Sequence, residues 1–417
     1  MNGLYLVILL FILVISRKIS RELYNPVFFF VGFWTLLIYL SSLNLYHQNE
    51  VSPHTYNCVF LGVISFAVGG FFISLMNVKR HRNSPNQIMS SNKLSNYVYF
   101  VSVGICLVLS IYMLRSMSLF FSGNSLDYIR SNFTTVVIHS NLERLLWTFA
   151  IFPIGLAAMT ISLYAYFIEE NKKFLPISLV LTTCIALTNG GRVYFLFFLL
   201  LFVYFSLVSR KVFRKRNVII FLILLYVSYS ITYFITTARQ IEQSTFESLY
   251  VYFTGCFPFM ESKMNQIDTM GFHSYGLAFF NAPLTFIEML LSNLGLMDYS
   301  SLLMKTNDFI NSFQEYENIG SANFNAFVSI FFTFYMDAGI PGVIIESFLF
   351  GCFASYLFYK VKYNRDPLSI GLYSVLINVI FISFVRWQLG RLEFFLSFVY
   401  LWLFFSRKRF HSISNKI

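Results

Sequence analysis

Apolar stretches long enough to cross a bilayer recur along the whole chain, at 3–16, 27–46, 56–76, 96–114, 145–168, 174–188, 193–209, 217–236, 339–359, 368–385 and 392–405. No other feature constrains the fold as strongly. In lipid each backbone N–H and C=O has to be satisfied within the protein, so runs of this kind fold as helices. A span needs roughly 20 apolar residues, and the short runs at 3–16, 174–188 and 392–405 fit with tilt or local thinning of the bilayer. The expected fold class is therefore all-α, a polytopic membrane protein with about 11 transmembrane helices. Composition agrees. Hydrophobic residues make up 57% of the chain and charged residues 12%, the latter about half the share of a soluble domain. Such a chain cannot cover its surface with polar groups in water, which excludes a soluble enzyme, a disordered protein and a collagen-like fibre.

The basic residues give an orientation. Arg17, Lys18 and Arg21, then Lys79, Arg80, Arg82 and Lys93, then Lys172 and Lys173 fall in alternate connections. So do Arg210, Lys211, Arg214, Lys215 and Arg216, and Lys360, Lys362 and Arg365, with Arg407, Lys408, Arg409 and Lys416 in the tail. These account for most of the 30 Lys and Arg residues. The positive-inside rule makes that side cytoplasmic, with the N-terminus outside and the C-terminus inside. The net charge of +11 then reflects topology, and no nucleic-acid partner is expected. The first apolar run has no positive charge before it and is followed by Arg17 and Lys18, so it reads as a retained span rather than a signal peptide. Four of the five cysteines fall in or beside apolar runs and Cys256 falls in a polar loop, a scatter that argues against disulfides and zinc.

Residues 1–417 read as one integral membrane domain with two long external loops, 115–144 and 237–325. Long loops are often functional. In the second, Phe246, Leu249, Tyr250, Phe253 and Phe257 recur at helical spacing, as do Phe286, Ile287, Leu290, Leu291 and Leu294 after Pro283. Both stretches read as amphipathic helices, either capping the bundle or lying over a cavity. The stretch from Ala322 to Met336 is apolar enough to enter the bilayer but runs into Asp337-Ala338-Gly339-Ile340-Pro341-Gly342. If it spanned, Lys360, Lys362 and Arg365 would fall outside. A re-entrant or interfacial segment before the ninth span is expected instead, because broken backbone at membrane depth is tolerated inside protein or along a polar cavity.

No P-loop, HExxH motif, Asp-x-Asp pair or His/Cys cluster is present, so neither a metal nor a cofactor is expected. What stands out is a set of cationic residues near external span ends. Arg192 follows Gly190 and Gly191 in a short connection, Arg239 follows the eighth span, and Arg386 and Arg391 bracket a tight connection with Glu393 just beyond. Each alone reads more readily as a snorkelling side chain. Together they suit one anionic ligand, because Arg binds phosphate oxygens bidentately. The two glycines either pack helices or present N–H groups to a phosphate. Asp337 is a helix cap or a functional carboxylate, Glu346 lies within the ninth span, where charge is costly, and His139 and His273 are isolated in loops.

Three of these features in order resemble the O-antigen polymerase family, which polymerises lipid-linked oligosaccharide repeats. They are the Gly190-Gly191-Arg192 turn before an apolar helix, Arg239 opening a large external loop, and Tyr335-Met336-Asp337-Ala338-Gly339-Ile340-Pro341-Gly342, similar to the family's Tyr-x-Asp-x-Gly-x-x-Gly stretch. The span count and the two long loops also fit. The resemblance implies a glycosyltransferase that moves a growing glycan from undecaprenyl diphosphate to the non-reducing sugar of a new lipid-linked repeat, at the outer face of the bacterial cytoplasmic membrane. Donor and acceptor would both be undecaprenyl-diphosphate-linked oligosaccharides among membrane lipids, with a chain-length regulator as a further partner. Arg192, Arg239, Arg386 and Arg391, with Gly190 and Gly191, would bind the diphosphate. A general base for the acceptor hydroxyl would come from Asp337, Glu393 or His273. Two alternatives stand beside it: an O-antigen ligase, which moves the finished glycan to a lipid core and to which His273 would be suited, and a flippase for the lipid-linked repeat.

Overall fold

The computed structural model describes residues 3–80, 96–188, 190–191, 193–211, 214–238, 245–298, 300–313, 315–320, 323–325 and 327–414. Each expected apolar run is helical: Gly3–Ser20, Pro26–Leu43, Pro53–Arg80, Asn96–Phe121, Phe152–Phe167, Phe174–Thr188, Val193–Val208, Lys215–Ala238, Ser329–Tyr363, Pro367–Phe381 and Leu392–Ser414. Among the described residues, seven helices are long and apolar enough to cross a membrane, and Phe174–Thr188, Val193–Val208 and Leu392–Phe405 are shorter apolar helices. Leu4, Val7, Phe11 and Val14 form a stripe at helical spacing, each more than half exposed. Such a stripe is stable only where the surrounding medium is hydrocarbon. The protein is an all-α membrane protein. Its contacts divide it into two compact units: Met1–Gln87, Gln243–Asn364 and Val379–Phe395 form the first, and Ile88–Glu242, Arg365–Asn378 and Leu396–Ile417 the second.

In the first unit, Asn25 starts the second helix by accepting from the amides of Val27 at 2.8 Å and Phe28 at 3.2 Å, with Pro26 at the first helical position, where its missing N–H costs nothing. Pro53–Arg80 and Ser329–Tyr363 cross at reciprocal glycines. A Cβ on Gly69 would stand 2.2 Å from the carbonyl O of Phe348, and one on Gly351 would stand 2.1 Å from that of Phe66. Small residues let backbones touch, which is how helices gain packing when lipid supplies no hydrophobic drive between them. Around this crossing lies an aromatic core. Phe30 stacks on Phe66 at 4.0 Å, and Trp34 meets Phe331 at 4.7 Å and donates from Nε1 to Ser383 Oγ at 2.9 Å.

Ser329–Tyr363 is two helices. Ala338 (φ −157°, ψ 32°) and Gly339 (φ 62°, ψ −145°) leave the helical region, and only glycine takes the second conformation without strain. The first arm, ending at Asp337, is about 14 Å long and cannot span; the second can. The chain folds back at the break. Phe334 and Phe350 both touch Trp387, at 5.4 and 4.9 Å, although 16 residues of straight helix would separate them by about 24 Å. A Cβ on Gly342 would lie 2.3 Å from the carbonyl O of Phe334. The segment before the ninth span is therefore re-entrant.

The 237–325 insertion carries helices Thr245–Thr254, Cys256–Met270, Asn281–Asn293 and Ser301–Ser312 and a hairpin pairing Glu317–Asn318 with Asn323–Phe324. Its two expected amphipathic segments are helical, but Phe246 and Leu249 are exposed while Tyr250 and Phe257 are buried. Cys256 does not sit in an open polar loop. It begins a helix, 1% exposed, and burial pushes its thiol up.

In the second unit, Asn141–Leu146 and Phe152–Phe167 run on through one wide turn at Trp147–Ile151. Pro153 explains that turn: it has no N–H to give the carbonyl four residues back. That carbonyl, of Phe149, accepts instead from Tyr400 Oη at 2.7 Å. The loop expected over 115–144 is shortened by the helix reaching Phe121 and filled by short helices at Leu126–Ser131, Phe133–Val136 and Asn141–Leu146.

Candidate functional site

The break in the ninth-span helix leaves the last carbonyls of the re-entrant arm without helical partners. One turn of the insertion supplies them. The amides of Ser274 and Tyr275 donate to the carbonyls of Met336 and Asp337, each at 3.0 Å. The same turn binds the Asp337 side chain. Oδ1 accepts from Ser274 Oγ and from the amide of Ala278 at 3.0 Å, and Oδ2 accepts from the amide of Phe279 at 2.8 Å. Asp337 is 1% exposed. A carboxylate is held away from water only when its lone pairs are filled in this way. It clamps the re-entrant arm to the insertion, and both of its oxygens are already engaged. The Glu346 carboxyl, on the other side of the fold-back, is also buried, and its Oε2 has no partner among the described residues.

The connection between the last two apolar helices packs on that turn. Trp387 stacks on Phe279 at 5.1 Å and 14° and donates from Nε1 to the Phe279 carbonyl at 2.8 Å. A Cβ on Gly390 would lie 3.3 Å from the carbonyl O of Ala278. Arg386 precedes Trp387 directly, both it and Arg391 are partly exposed, and Arg391 Nη2 lies 3.6 Å from Glu393 Oε1. Gln388 Oε1 is buried and unpartnered among the described residues. His273 precedes the clamping serine, and its Nδ1 is also buried without a partner there. Asp337, His273, Arg386, Arg391 and Glu393 thus belong to one continuous set of packed turns in the first unit. Arg386 and Arg391 can meet an anion there, Asp337 holds the backbone, and Glu393 is tied to Arg391.

The other sequence candidates are in the second unit. Gly190 has φ +57°, and the Gly191 amide donates to the Ala186 carbonyl at 3.0 Å. The pair closes the helix Phe174–Thr188, as glycine does at helix C-termini, so the Gly191 N–H is already engaged. Arg192 and Arg239 lie outside the described residues.

Sequence reasoning did not find His54 and Asp268. Tyr335, on the re-entrant arm, donates from Oη to both oxygens of Asp268, at 2.9 and 3.0 Å, and faces His54 Nε2 at 3.5 Å. These residues are 281 and 67 positions from Tyr335. No periodicity links them, and only the pairing of the insertion with the arm brings them together. Among the described residues no group of three or more His, Cys, Asp or Glu side chains is placed to hold a metal ion. No protein-family model, curated protein or solved structure matches this chain.

Proposed function

We propose that this membrane protein polymerises undecaprenyl-diphosphate-linked oligosaccharide repeats by glycosyl transfer at the external face of the bacterial cytoplasmic membrane. One observation carries the reading. The stretch Tyr335–Gly342, where the family resemblance lies, forms a re-entrant break clamped through Asp337 to the turn on which Trp387 packs, in the short connection that also carries Arg386 and Arg391. A polyprenyl diphosphate departs as an anion. It needs no proton, but it does need positive charge fixed where negative charge develops. Arg386 and Arg391 supply that charge in this unit, with Arg192 and Arg239 assigned the same role from the sequence pattern. The sugar–diphosphate bond supplies the driving force, so no nucleotide is required. The external side is the one that the basic connections leave poor in Lys and Arg. Of the three residues offered as bases, Asp337 becomes a positioning group with both oxygens engaged, Glu393 is paired with Arg391, and His273 lies beside the clamp.

A second reading has one specific observation in its favour. The buried, unpartnered Nδ1 of His273 beside the clamp suits a ligase that hands the finished glycan to a lipid core. Deleting the gene in its host and separating surface glycan and lipid-linked intermediates on gels tests both. Loss of the long ladder, with a single repeat still delivered, is the polymerase outcome. Long polymer stranded on lipid is the ligase outcome. Single repeats held at the cytoplasmic face would overturn both in favour of a flippase.

A further inference from the structure

Transfer to a sugar hydroxyl requires a group that takes the hydroxyl proton. Asp337 has donors on both oxygens, and Glu393 is paired with Arg391. Elsewhere on the re-entrant arm, three other side chains meet from three elements. His54 is the second residue of Pro53–Arg80, whose start is fixed by the Ser52 amide donating to Glu261 Oε2 at 2.6 Å. Asp268 is in the last turn of Cys256–Met270. Tyr335 is two residues before Asp337 on the arm that the clamp holds. His54 and Asp268 are exposed and Tyr335 is buried between them.

The hydrogen bonds have a direction. Tyr335 has one proton, and Asp268, accepting with both oxygens, takes it. The phenolic oxygen then has only lone pairs to offer His54, whose ring meets the tyrosine edge-on at 82°. The tautomer that fits carries its proton on Nε2 and donates to Tyr335, which leaves Nδ1 as the bare acceptor. A histidine held by one nitrogen through a chain that ends in a carboxylate, with the other nitrogen free, is the arrangement that makes imidazole an effective base. The 3.5 Å separation is long, as such contacts are before substrate closes on them.

We infer that His54 is the general base for the acceptor sugar hydroxyl, with Tyr335 and Asp268 as the positioning residues that set its tautomer and face the charge it gains. The inference rests on the polymerase reading and extends it to the acceptor side. In the step, the acceptor O–H gives its proton to His54 Nδ1 as the oxygen attacks the anomeric carbon of the donor. The bond from that carbon to the diphosphate oxygen breaks, and its electron pair leaves with the lipid diphosphate. Water then removes the proton from His54. The cluster is suited to a carbohydrate hydroxyl, because a carboxylate, a phenol and an imidazole all bond such groups.

The test uses membranes from the deletion host carrying the full chain or a variant, with the host's own lipid-linked repeats as substrate. His54→Gln keeps an N–H that reaches Tyr335 but has no basic nitrogen. Chain extension falls by about 100-fold or more, with the protein present at wild-type level. His54→Ala is equally slow and recovers when imidazole is added, a response that no merely structural histidine gives. Tyr335→Phe and Asp268→Asn show smaller losses, in kcat rather than KM. Extension by His54→Gln at the wild-type rate, or no recovery of His54→Ala with imidazole, overturns the assignment of the base and leaves the polymerase reading standing. An unchanged ladder in the deletion host removes the polymerase reading, and this assignment with it.

Discussion

Among the described residues two long helices are interrupted, one in each unit, and the interruptions differ in kind. At Trp147–Ile151 the helix widens by one residue ahead of Pro153, and the orphaned carbonyl of Phe149 receives one phenolic O–H from Tyr400. The helix continues, and no charge is involved. At Ala338–Gly339 the helix stops and folds back. The defect is filled by four backbone amides and a hydroxyl from one turn, a buried carboxylate, and a second carboxyl with an unpartnered oxygen. The first interruption is a local repair around a proline. The second buries two acidic side chains inside the protein, where they are costly and where function is a common reason to keep them. The two differ in what each recruits as well as in the size of the distortion.

The widest gap between them is expected at Gly342. A Cβ there meets the backbone carbonyl of Phe334 at 2.3 Å, whereas a Cβ on Gly104 in Asn96–Phe121 meets nothing within 4 Å. Gly342→Ala forces the two arms apart and abolishes both polymer formation and the folded protein in detergent; Gly104→Ala changes neither. Thermal unfolding followed by size-exclusion chromatography reads the difference. A stable, active Gly342→Ala would mean that the fold-back is not the working conformation.

Next in size is the clamp. Asp337→Ala leaves the amides of Ala278 and Phe279 and the Ser274 hydroxyl without acceptors, a loss of about 3 kcal/mol or more. Asp337→Asn keeps one acceptor but turns an N–H₂ towards a donor, so it recovers only part of that. If asparagine restored full stability and alanine full activity, the carboxylate would not be holding the break together. Trp387→Phe keeps the ring against Phe279 but loses the Nε1 bond to its carbonyl, at about 1 kcal/mol. It loosens the turn carrying Arg386 and Arg391, so activity drops more than stability, measured by ladder length against melting temperature.

The spans were legible because hydrocarbon imposes a composition that nothing else explains, and the fold-back was legible because Gly339, Pro341 and Gly342 follow an apolar run at a point where continuing would place Lys360 and Lys362 on the wrong side. The partners of the break were not. Asp337 reads equally as a cap or a base until Ser274 and Phe279, 63 and 58 residues earlier, are seen on its oxygens. His54 and Asp268 leave no trace in sequence for the same reason: their roles are set by long-range pairing of an insertion against the arm. Within the insertion, Ser301–Ser312 has an amphipathic periodicity that the sequence reading passes over, while the two-residue strands of the 317–324 hairpin are too short to show any.

The smallest effect falls at the other interruption. Tyr400→Phe removes the hydroxyl that satisfies the Phe149 carbonyl and leaves the ring in place. Tyr400 is only partly buried, and interhelical hydrogen bonds in membranes average about 0.6 kcal/mol because the freed group finds another partner. The helix keeps its wide turn, which Pro153 dictates, and melting falls by a degree or two with the glycan ladder unchanged. Restoring an N–H with Pro153→Ala removes the cause of the widening, so Tyr400→Phe in that background has no further effect on stability. A large loss of polymer from Tyr400→Phe alone would place this interruption in the working machinery and dissolve the distinction between the two.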